Sequence, residues 1–402
     1  MRTTWRALAR SFRHRDYRLF FTGQFLSLVG TWMQQVAQSW LVYRLTGSSL
    51  SLGLVGFAAQ FPVFLLAIFG GILADRLNRR SILVCTQAAS LLQAAILAGL
   101  TFAGRIEVWE VAALAVFLGI VNAVDIPTRQ SFIAELVDRE DLHNAIALNS
   151  SMFNLACILG PSLAGMLLAA VGEAWCFSVN ALSFLAVIAC LLRMGATRHP
   201  ALKMNGSVRE HLGEGFRYAW RTREVRGILF LLGAMSLLGM SFMVLMPVIA
   251  EEILHSGPRG LGLLMSASGI GSLAGALTLA ARTESRGIGR FAYFGMLCFG
   301  VFLVLFAQSR LLWLSALLLM PASFCMMVSM AASNTILQVS CPDSLRGRVM
   351  ALFAMVLMGM APCGALLSGA LAHWTSAGTT VTASGAACIL VLGVTGRRLL
   401  KL

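Results

Sequence analysis

The sequence predicts an all-α polytopic membrane protein with twelve transmembrane helices, arranged as two six-helix halves related by pseudo-two-fold symmetry. Hydrophobic residues make up 58% of the chain and charged residues only 12%, with a mean hydropathy of +0.80, whereas a soluble domain carries about 25% charged residues. At roughly 20 apolar residues per crossing, the 402 residues accommodate about a dozen helices. A motif repeated about half a chain apart favours two related halves.

Apolar windows place the predicted helices in order along the chain. The first six lie at 17–43, 50–74, 81–103, 108–126, 142–171 and 175–192, and the last six at 227–250, 260–281, 288–307, 311–337, 346–372 and 377–396. The first run is too long and too rich in glutamine for a secretory signal, so we interpret it as a membrane helix. The predicted domains are an N-terminal six-helix bundle over 1–192, a cytoplasmic central loop over 193–226 with a surface helix at 208–220, and a C-terminal six-helix bundle over 227–402.

The distribution of basic residues predicts the orientation of the chain. Only four of the 31 Lys and Arg residues fall in the loops of one side, namely Arg44, Arg105, Arg259 and Arg310. Because Lys and Arg near membrane ends stay in the cytoplasm, both termini are predicted to be cytoplasmic, in a bacterial plasma (inner) membrane. The net charge of +14 then indicates topology and attraction to anionic membrane lipid, and we expect no nucleic-acid partner.

The segment 71–83 joins two apolar runs by a short turn that holds Asp75 and three arginines, Arg76, Arg79 and Arg80. It resembles the loop between the second and third helices of the major facilitator superfamily, G-x-L-a-D-R-x-G-R-R-x-x-L. Asn78 stands where that pattern prefers Gly, and we expect it to adopt the same left-handed backbone. The resemblance implies a charge network that closes the inner gate. We assign Asp75, Arg76 and Asp125 to that latch, with Arg79 in support.

Further motifs narrow the resemblance. The segment 137–142, followed by a helix with Gly160, Pro161 and Gly165, is echoed by 341–346 and a helix with Pro362 and Gly369. With Pro127-Thr128-Arg129 and 342–349, which contains Asp343, Arg346 and Arg348, these segments look like the exporter branch that includes the enterobactin exporter and macrolide efflux pumps. The branch implies proton-driven export of a small molecule. Gly160, Pro161 and Gly165 fit a gating kink or a packing kink equally well.

The first helix carries the predicted substrate path. Gln24, Ser27, Thr31, Gln35 and Gln38 recur at steps of three and four, so they share one helical face. Polar side chains facing lipid are expensive, so this face should line a cavity, with a polar seam between helices as the alternative. Asn154 on the fifth helix is a further cavity candidate, for which structural hydrogen bonding is the alternative. No Asp or Glu is predicted deep in a span, and Asp125 lies closest, near the inner end of the fourth helix.

The remaining side chains give no sign of enzyme chemistry. The nine cysteines lie mostly in apolar runs without a C-x-x-C pair, so we expect no metal site, no disulfide framework and no cofactor. No glycine-rich loop precedes a Lys, so no ATPase motor is predicted. The sequence therefore predicts a secondary active exporter of a small amphiphilic, drug-like or siderophore-like molecule. We expect it to act as a monomer, with protons and membrane lipid as its further partners. The alternatives are a lysophospholipid flippase on the same fold and, more remotely, a membrane-embedded enzyme.

Overall fold

A computed structural model describes residues 10–195, 216–281 and 287–395. The chain divides into two compact units. Unit 1 comprises 1–45 and 58–203, and unit 2 comprises 46–57 and 204–402. One boundary lies in the predicted central segment 193–226, and residues 46–57 of the predicted N-terminal bundle group with unit 2. Most of the predicted surface helix at 208–220 lies outside the described residues, and residues 216–221 are helical.

Six long helices form the first half of the chain. They are α1 (Arg15–Thr46), α2 (Ser49–Arg76), α3 (Arg79–Phe102), α4 (Val108–Ile133), α5 (Leu142–Val171) and α6 (Glu173–Leu192), and a 3-10 turn at Arg10–Arg13 precedes α1. In unit 1, α3 packs against α4 and α6, and α5 packs against α6.

The described part of the second half contains α7 (Arg223–Ile253), α8 (Gly257–Ala280), α9 (Ile288–Gln308), α10 (Leu312–Ser340), α11 (Asp343–Trp374) and α12 (Ala377–Thr395). α9 packs against α10 and α12, as α3 packs against α4 and α6 in unit 1. α7 is irregularly wound: a π-helical stretch at Met235–Gly239 and a 3-10 stretch at Met240–Leu245 interrupt it, and a second π-helical stretch at Ile249–Ile253 ends it.

Ten helices in the described residues are long and apolar enough to cross a membrane. They are α2 to α11, whereas α1 is long but carries four glutamines and α12 counts as a shorter apolar helix over Ala377–Gly393. All-helical architecture and most predicted spans are therefore present, with boundaries that differ by a few residues from the apolar windows.

The predicted end of the fourth helix at residue 126 is wrong, because α4 continues through Pro127 to Ile133. Proline removes the N–H that would bond to the carbonyl of Ala123 four residues earlier. Gly70 of α2 packs directly on that carbonyl, where any Cβ would overlap it. Because α4 ends at Ile133, Asp125 lies about two turns inside it.

The predicted left-handed backbone of Asn78 is also wrong. Asn78 has φ −65° and ψ 111°, and its side-chain oxygen accepts a hydrogen bond from the Ser81 backbone N–H at 3.1 Å. Asn78 is therefore the N-cap of α3, a position that Asn favours because its side chain satisfies an otherwise unpaired helix donor.

The helix ends around this turn form what we call the basic end of unit 1, which comprises the starts of α1, α3 and α5 and the ends of α2, α4 and α6. Its apolar core contains Tyr17, Phe20, Leu83, Phe132 and Leu191, all fully or nearly buried. This core joins five of these helix ends, those of α1, α3, α4, α5 and α6, beside the polar groups described next.

Candidate functional site

Arg79 is the centre of a charged cluster at the basic end of unit 1. Its Nη1 donates to Glu135 Oε1 at 2.7 Å and its Nη2 to Asp75 Oδ1 at 3.4 Å. The Glu135 side chain is 5% exposed and that of Asp75 is 37% exposed. Glu135 is therefore the closer and better shielded partner, which sequence reasoning missed because it lies far from the motif, just beyond the end of α4.

The neighbouring arginines have other surroundings. Arg76 is exposed, and the structure gives it no ion pair within the described residues. Arg80 caps α6: its Nε donates to the Leu191 carbonyl at 2.7 Å and its Nη2 to the Leu192 carbonyl at 2.8 Å. The last carbonyls of a helix lack partners within the helix, so Arg80 ties the start of α3 to the end of α6.

Asp125 forms a separate cluster inside unit 1. Its Oδ1 accepts hydrogen bonds from Thr86 Oγ1 at 2.7 Å and Gln87 Nε2 at 3.0 Å, and its Oδ2 lies 3.8 Å from Arg129 Nε. The structure therefore divides the predicted latch residues between two groups: Asp75 and Arg79 share an ion pair, and Asp125 is hydrogen-bonded to α3 and lies near Arg129 of its own helix.

The predicted polar face of α1 is present but unevenly shielded. Gln24 and Ser27 are buried, Thr31 and Gln38 are half-buried, and Gln35 is exposed. Within the described residues, the structure assigns no side-chain hydrogen bond to Gln24 or Ser27. Asn154 donates to the Ser150 carbonyl of its own helix at 2.8 Å, so its amide hydrogens are at least partly satisfied within α5.

A buried chain of amides beside this face was not predicted. Gln34 Nε2 donates to Gln93 Oε1 at 2.9 Å, and Asn180 Nδ2 donates to Gln34 Oε1 at 2.8 Å. The chain joins α1, α3 and α6, and Gly30 provides the space for it, because a Cβ at Gly30 would lie 2.5 Å from Asn180 Oδ1. Its three members are far apart in sequence, so no local pattern indicates it.

The turn before α1 is fixed to the start of α5. Arg10 Nε lies 2.7 Å from Asp141 Oδ1, and His14 Nε2 lies 2.9 Å from Asp141 Oδ2. Ser11 is fully buried and its Oγ donates to Asn144 Oδ1 at 2.7 Å. This contact adds the N-terminal turn to the basic end of unit 1.

The Gly-Pro element of α5 lies against α1. A Cβ at Gly160 would be 2.5 Å from the Cβ of Trp32 and 2.9 Å from the Val29 carbonyl. Pro161 and Gly165 are buried, and α5 is continuous from Leu142 to Val171. The structure thus shows close helix packing at Gly160 and does not test a gating role.

In unit 2, the repeated motif lies at the start of α11. Arg346 Nε donates to the Gln338 carbonyl at 2.9 Å, near the end of α10. Arg348 also takes part in an interaction, and the side chain of Asp343 lies outside the described residues. Arg346 therefore joins α10 to α11 much as Arg80 joins α3 to α6.

A cavity of about 470 Å³ lies at the opposite end of unit 2, beside the end of α7 and the start of α12. Its polar lining consists of Glu252, Gln308, Arg310, Ser376, Thr379 and Thr382. None of the residues predicted to bind substrate lines it. No group of three or more His, Cys, Asp or Glu residues with metal-binding geometry occurs in the part of the chain that the structure describes.

The family model described as transmembrane secretion effector matches residues 6–402. The chain belongs to this family. As a secretion effector of the major facilitator type, it is a multi-pass membrane transporter and not an enzyme. The resemblance to major facilitator exporters that the motifs indicated is thereby confirmed.

Three relatives align with most of this secretion effector. The staphyloferrin A transporter of Staphylococcus aureus is 26% identical, covering 87% of this chain and 88% of the relative. The multidrug efflux pump Tap of Mycolicibacterium fortuitum is 27% identical, covering 84% of each chain. The enterobactin exporter EntS of Shigella boydii is 26% identical, covering 95% of this chain and 91% of the relative.

Solved transporters share the fold at lower identity. A variant of the nucleoside transporter NupG is 14% identical, with a TM-score of 0.77, covering 95% of this chain and 99% of NupG. A bacterial homologue of the human lysosomal transporter Spinster is 14% identical, with a TM-score of 0.72, covering 97% of this chain and 96% of the homologue. These likenesses establish the transporter fold of the secretion effector.

Proposed function

We propose that this chain is a secondary active transporter that exports a small amphiphilic molecule, siderophore-like or drug-like, by alternating access with proton coupling. The observation that carries the proposal is the set of relatives named as a siderophore transporter, a multidrug efflux pump and an enterobactin exporter, each aligned over 84% or more of this chain. We place it in the bacterial inner membrane as a monomer.

The proposed architecture has twelve membrane spans in two halves with both termini in the cytoplasm. Two observations support it: the third helix of each half packs against the fourth and the sixth, and the basic residues concentrate on one predicted side. On this topology the basic end of unit 1 faces the cytoplasm, where Lys and Arg are retained.

The proposed substrate path includes the polar face of α1. A membrane helix that presents Gln24, Ser27 and Thr31 along one side needs polar neighbours or water there, because unsatisfied polar groups are costly in lipid. Thr31 and Gln38 are half-buried and Gln35 is exposed, so these three are the members able to meet a ligand without prior rearrangement.

The proposed cytoplasmic gate uses the Asp75–Arg79–Glu135 cluster rather than a single latch that includes Asp125. These three groups come from the end of α2, the start of α3 and the segment after α4. A conformational equilibrium shifts tenfold for about 1.4 kcal/mol, so a modest change in this cluster is enough to alter the balance of states.

Reconstituted proteoliposomes test the proposed transport. Vesicles with an imposed pH gradient should export ethidium or enterobactin, and the flux should fall when a protonophore collapses the gradient. Gln35→Leu should lower the flux while the protein stays folded, and Leu390→Ala, on an exposed apolar position of α12, is the matched control.

The same vesicles distinguish the competing functions. Transbilayer movement of a fluorescent lysophospholipid without ethidium or enterobactin flux would favour a lipid flippase. No flux of any of these molecules, from protein that is folded and inserted, would contradict the transport proposal.

A further inference from the structure

Two aromatic side chains of unit 2 are exposed just before the membrane helix α7. They lie on a short helix at 216–221, which we call the pre-α7 helix. Phe216 is 59% exposed and Trp220 is 56% exposed. Their ring centroids are 5.9 Å apart at an interplanar angle of 19°, so the rings are stacked. The pair forms a continuous apolar patch, and such a patch with polar residues around it is typical of an interaction surface.

The other side of the pre-α7 helix packs against unit 2. Ala219 is buried, and Tyr218 Oη donates to the Ser340 carbonyl at 3.5 Å, at the end of α10. Phe216 and Trp220 are four residues apart and therefore share one face of the helix, whereas Tyr218 and Ala219 lie on the opposite one. The helix is thus held to the bundle by one face and exposes the aromatic face.

Arginines lie beside the aromatic pair. Arg217 and Arg221 each follow one of the rings in sequence, so they too are one turn apart, and both are exposed. Arg223, at the start of α7, is also exposed. None of these three takes part in an ion pair with another residue that the structure describes. Residues 216–226 contain four arginines and a single acid, so this surface is positively charged.

The fourth arginine, Arg226, lies over the Trp220 ring. Its guanidinium carbon is 5.7 Å from the ring centroid, and its Nη1 donates to the Trp220 carbonyl at 3.3 Å. A cation in this position is attracted by the face of the indole. A guanidinium has five N–H donors, and the structure assigns Arg226 one side-chain hydrogen bond to the described residues. Arg226 therefore fixes the ring and keeps further donors for a ligand beside it.

The position of this surface favours lipid as its occupant. Thr222 alone separates the pre-α7 helix from α7, which is long and apolar enough to cross a membrane. Phe230 of α7 is exposed about 10 Å of helix beyond Arg223. The pre-α7 helix therefore lies at the membrane–water boundary, where Trp rings sit among the headgroups. Arginines at that depth attract anionic headgroups.

We infer that the pre-α7 helix is a binding surface for anionic phospholipid of the cytoplasmic leaflet. Phe216 and Trp220 contact the upper acyl chains, and the four arginines bind the phosphate oxygens, which the forked donors of a guanidinium match. The bound lipid anchors the segment before α7 and, through Tyr218, the end of α10. The choice of leaflet rests on the proposed topology, whereas the contact with anionic lipid does not.

Quenching of tryptophan fluorescence by brominated lipid tests the contact. The full-length protein is placed in nanodiscs of phosphatidylcholine and phosphatidylglycerol in equal amounts, with bromine on one lipid or on the other. The difference between the wild-type protein and Trp220→Phe gives the signal of Trp220, which brominated phosphatidylglycerol should quench more strongly. Trp374 is the matched control, because it is 79% exposed and has no Lys or Arg within ten residues. Its signal, obtained from Trp374→Phe, should be quenched equally by both lipids.

Arginine substitutions test the recognition of the headgroup. The double variant Arg217→Gln/Arg221→Gln should lose the preference of Trp220 for brominated phosphatidylglycerol and keep its quenching by brominated phosphatidylcholine. Both side chains are exposed, so the variant should fold normally. Arg105→Gln removes an exposed arginine from the loop before α4 and should leave the preference unchanged. A preference that survives in the double variant contradicts binding of phosphate by these arginines and overturns the inference.

Other occupants of the surface give different results, each of which overturns the inference. Equal quenching of Trp220 by both brominated lipids indicates apolar contact without selection of the headgroup. Absence of quenching by either lipid places the ring away from the bilayer, and a disulfide-linked dimer of Arg217→Cys on a cysteine-free background then assigns the surface to a second copy of the chain. Both leaflets of the nanodisc have the same composition and no substrate is present, so these results are independent of orientation and of the proposed transport.

Discussion

Arg79 connects two acids that differ in shielding, and this difference predicts their relative importance. Breaking a fully buried ion pair costs about 3 to 5 kcal/mol, whereas an exposed pair contributes about 0 to 1 kcal/mol. Glu135 is nearly buried at 2.7 Å from Arg79, and Asp75 is partly exposed at 3.4 Å. Glu135→Gln should therefore lower the unfolding temperature in detergent more than Asp75→Asn.

A double-mutant cycle extends this comparison. Asp75→Asn and Glu135→Gln share Arg79, so their combined effect should be less than additive. Asp75→Asn and Asp125→Asn belong to separate clusters and should be close to additive. Strong coupling between Asp75 and Asp125, measured from unfolding temperatures in detergent, would support the single latch that the sequence suggested.

Two adjacent glycines of α2 predict opposite responses to the same substitution. A Cβ at Gly70 would overlap the Ala123 carbonyl, whereas nothing lies within 4 Å of a Cβ at Gly71. Overpacking costs about 1 to 3 kcal/mol, and replacing an unhindered helical Gly by Ala stabilises by about 0.5 to 1 kcal/mol. Gly70→Ala should lower the unfolding temperature and Gly71→Ala should not. Equal losses would show that the α2–α4 contact is looser than described.

At the scale of the helix, α1 carries adjacent glutamines with different expected roles. Gln34 is buried and bonded to Gln93 and Asn180, so Gln34→Leu should destabilise the protein by leaving two buried amides without their partner. Gln35 is exposed, so Gln35→Leu should preserve the unfolding temperature and lower transport. Thermal melts and proteoliposome flux on the same two variants measure both effects, and a destabilised Gln35→Leu would make the polar face a packing seam.

The turn between α10 and α11 gives a pH-dependent expectation. Burial raises the pKa of the Cys341 thiol, although Arg346 and Tyr218 act in the opposite direction. Because the thiolate is the reactive form, maleimide should label Cys341 slowly at neutral pH and faster as the pH rises. With the other cysteines replaced, Leu77→Cys in a Cys341→Ala background provides the exposed reference. Equal maleimide labelling rates at positions 341 and 77 at neutral pH would contradict the burial of Cys341.

Helix positions followed from the sequence because the length of an apolar run is a local property. The differences have separate causes: α4 continues through Pro127 where Gly70 of α2 packs on it, and Asn78 caps α3 with its own side chain. The site was predicted only in part because several of its contacts join residues that are far apart in sequence. The charges near Asp75 form a local motif, whereas Glu135 and the Gln34–Gln93–Asn180 chain become visible only after the helices are packed.

For the whole molecule, the charge distribution predicts which loops face the cytoplasm. On a cysteine-free background, Arg310→Cys in the loop before α10 should react with an impermeant maleimide added to intact cells. Leu77→Cys in the turn before α3 should react only after the membrane is permeabilised. Both positions are exposed, so accessibility to the reagent is decided by the membrane. Reversed labelling would contradict the orientation proposed from the basic residues.

The mixed winding of α7 has a consequence for the dimensions of unit 2. The six residues Met240–Leu245 are wound as a 3-10 helix, which rises about 2.0 Å per residue against about 1.5 Å in an α-helix. Rewinding them as α-helix would shorten α7 by about 3 Å. Over these six residues α7 therefore reaches further along its axis than a regular α-helix of the same sequence.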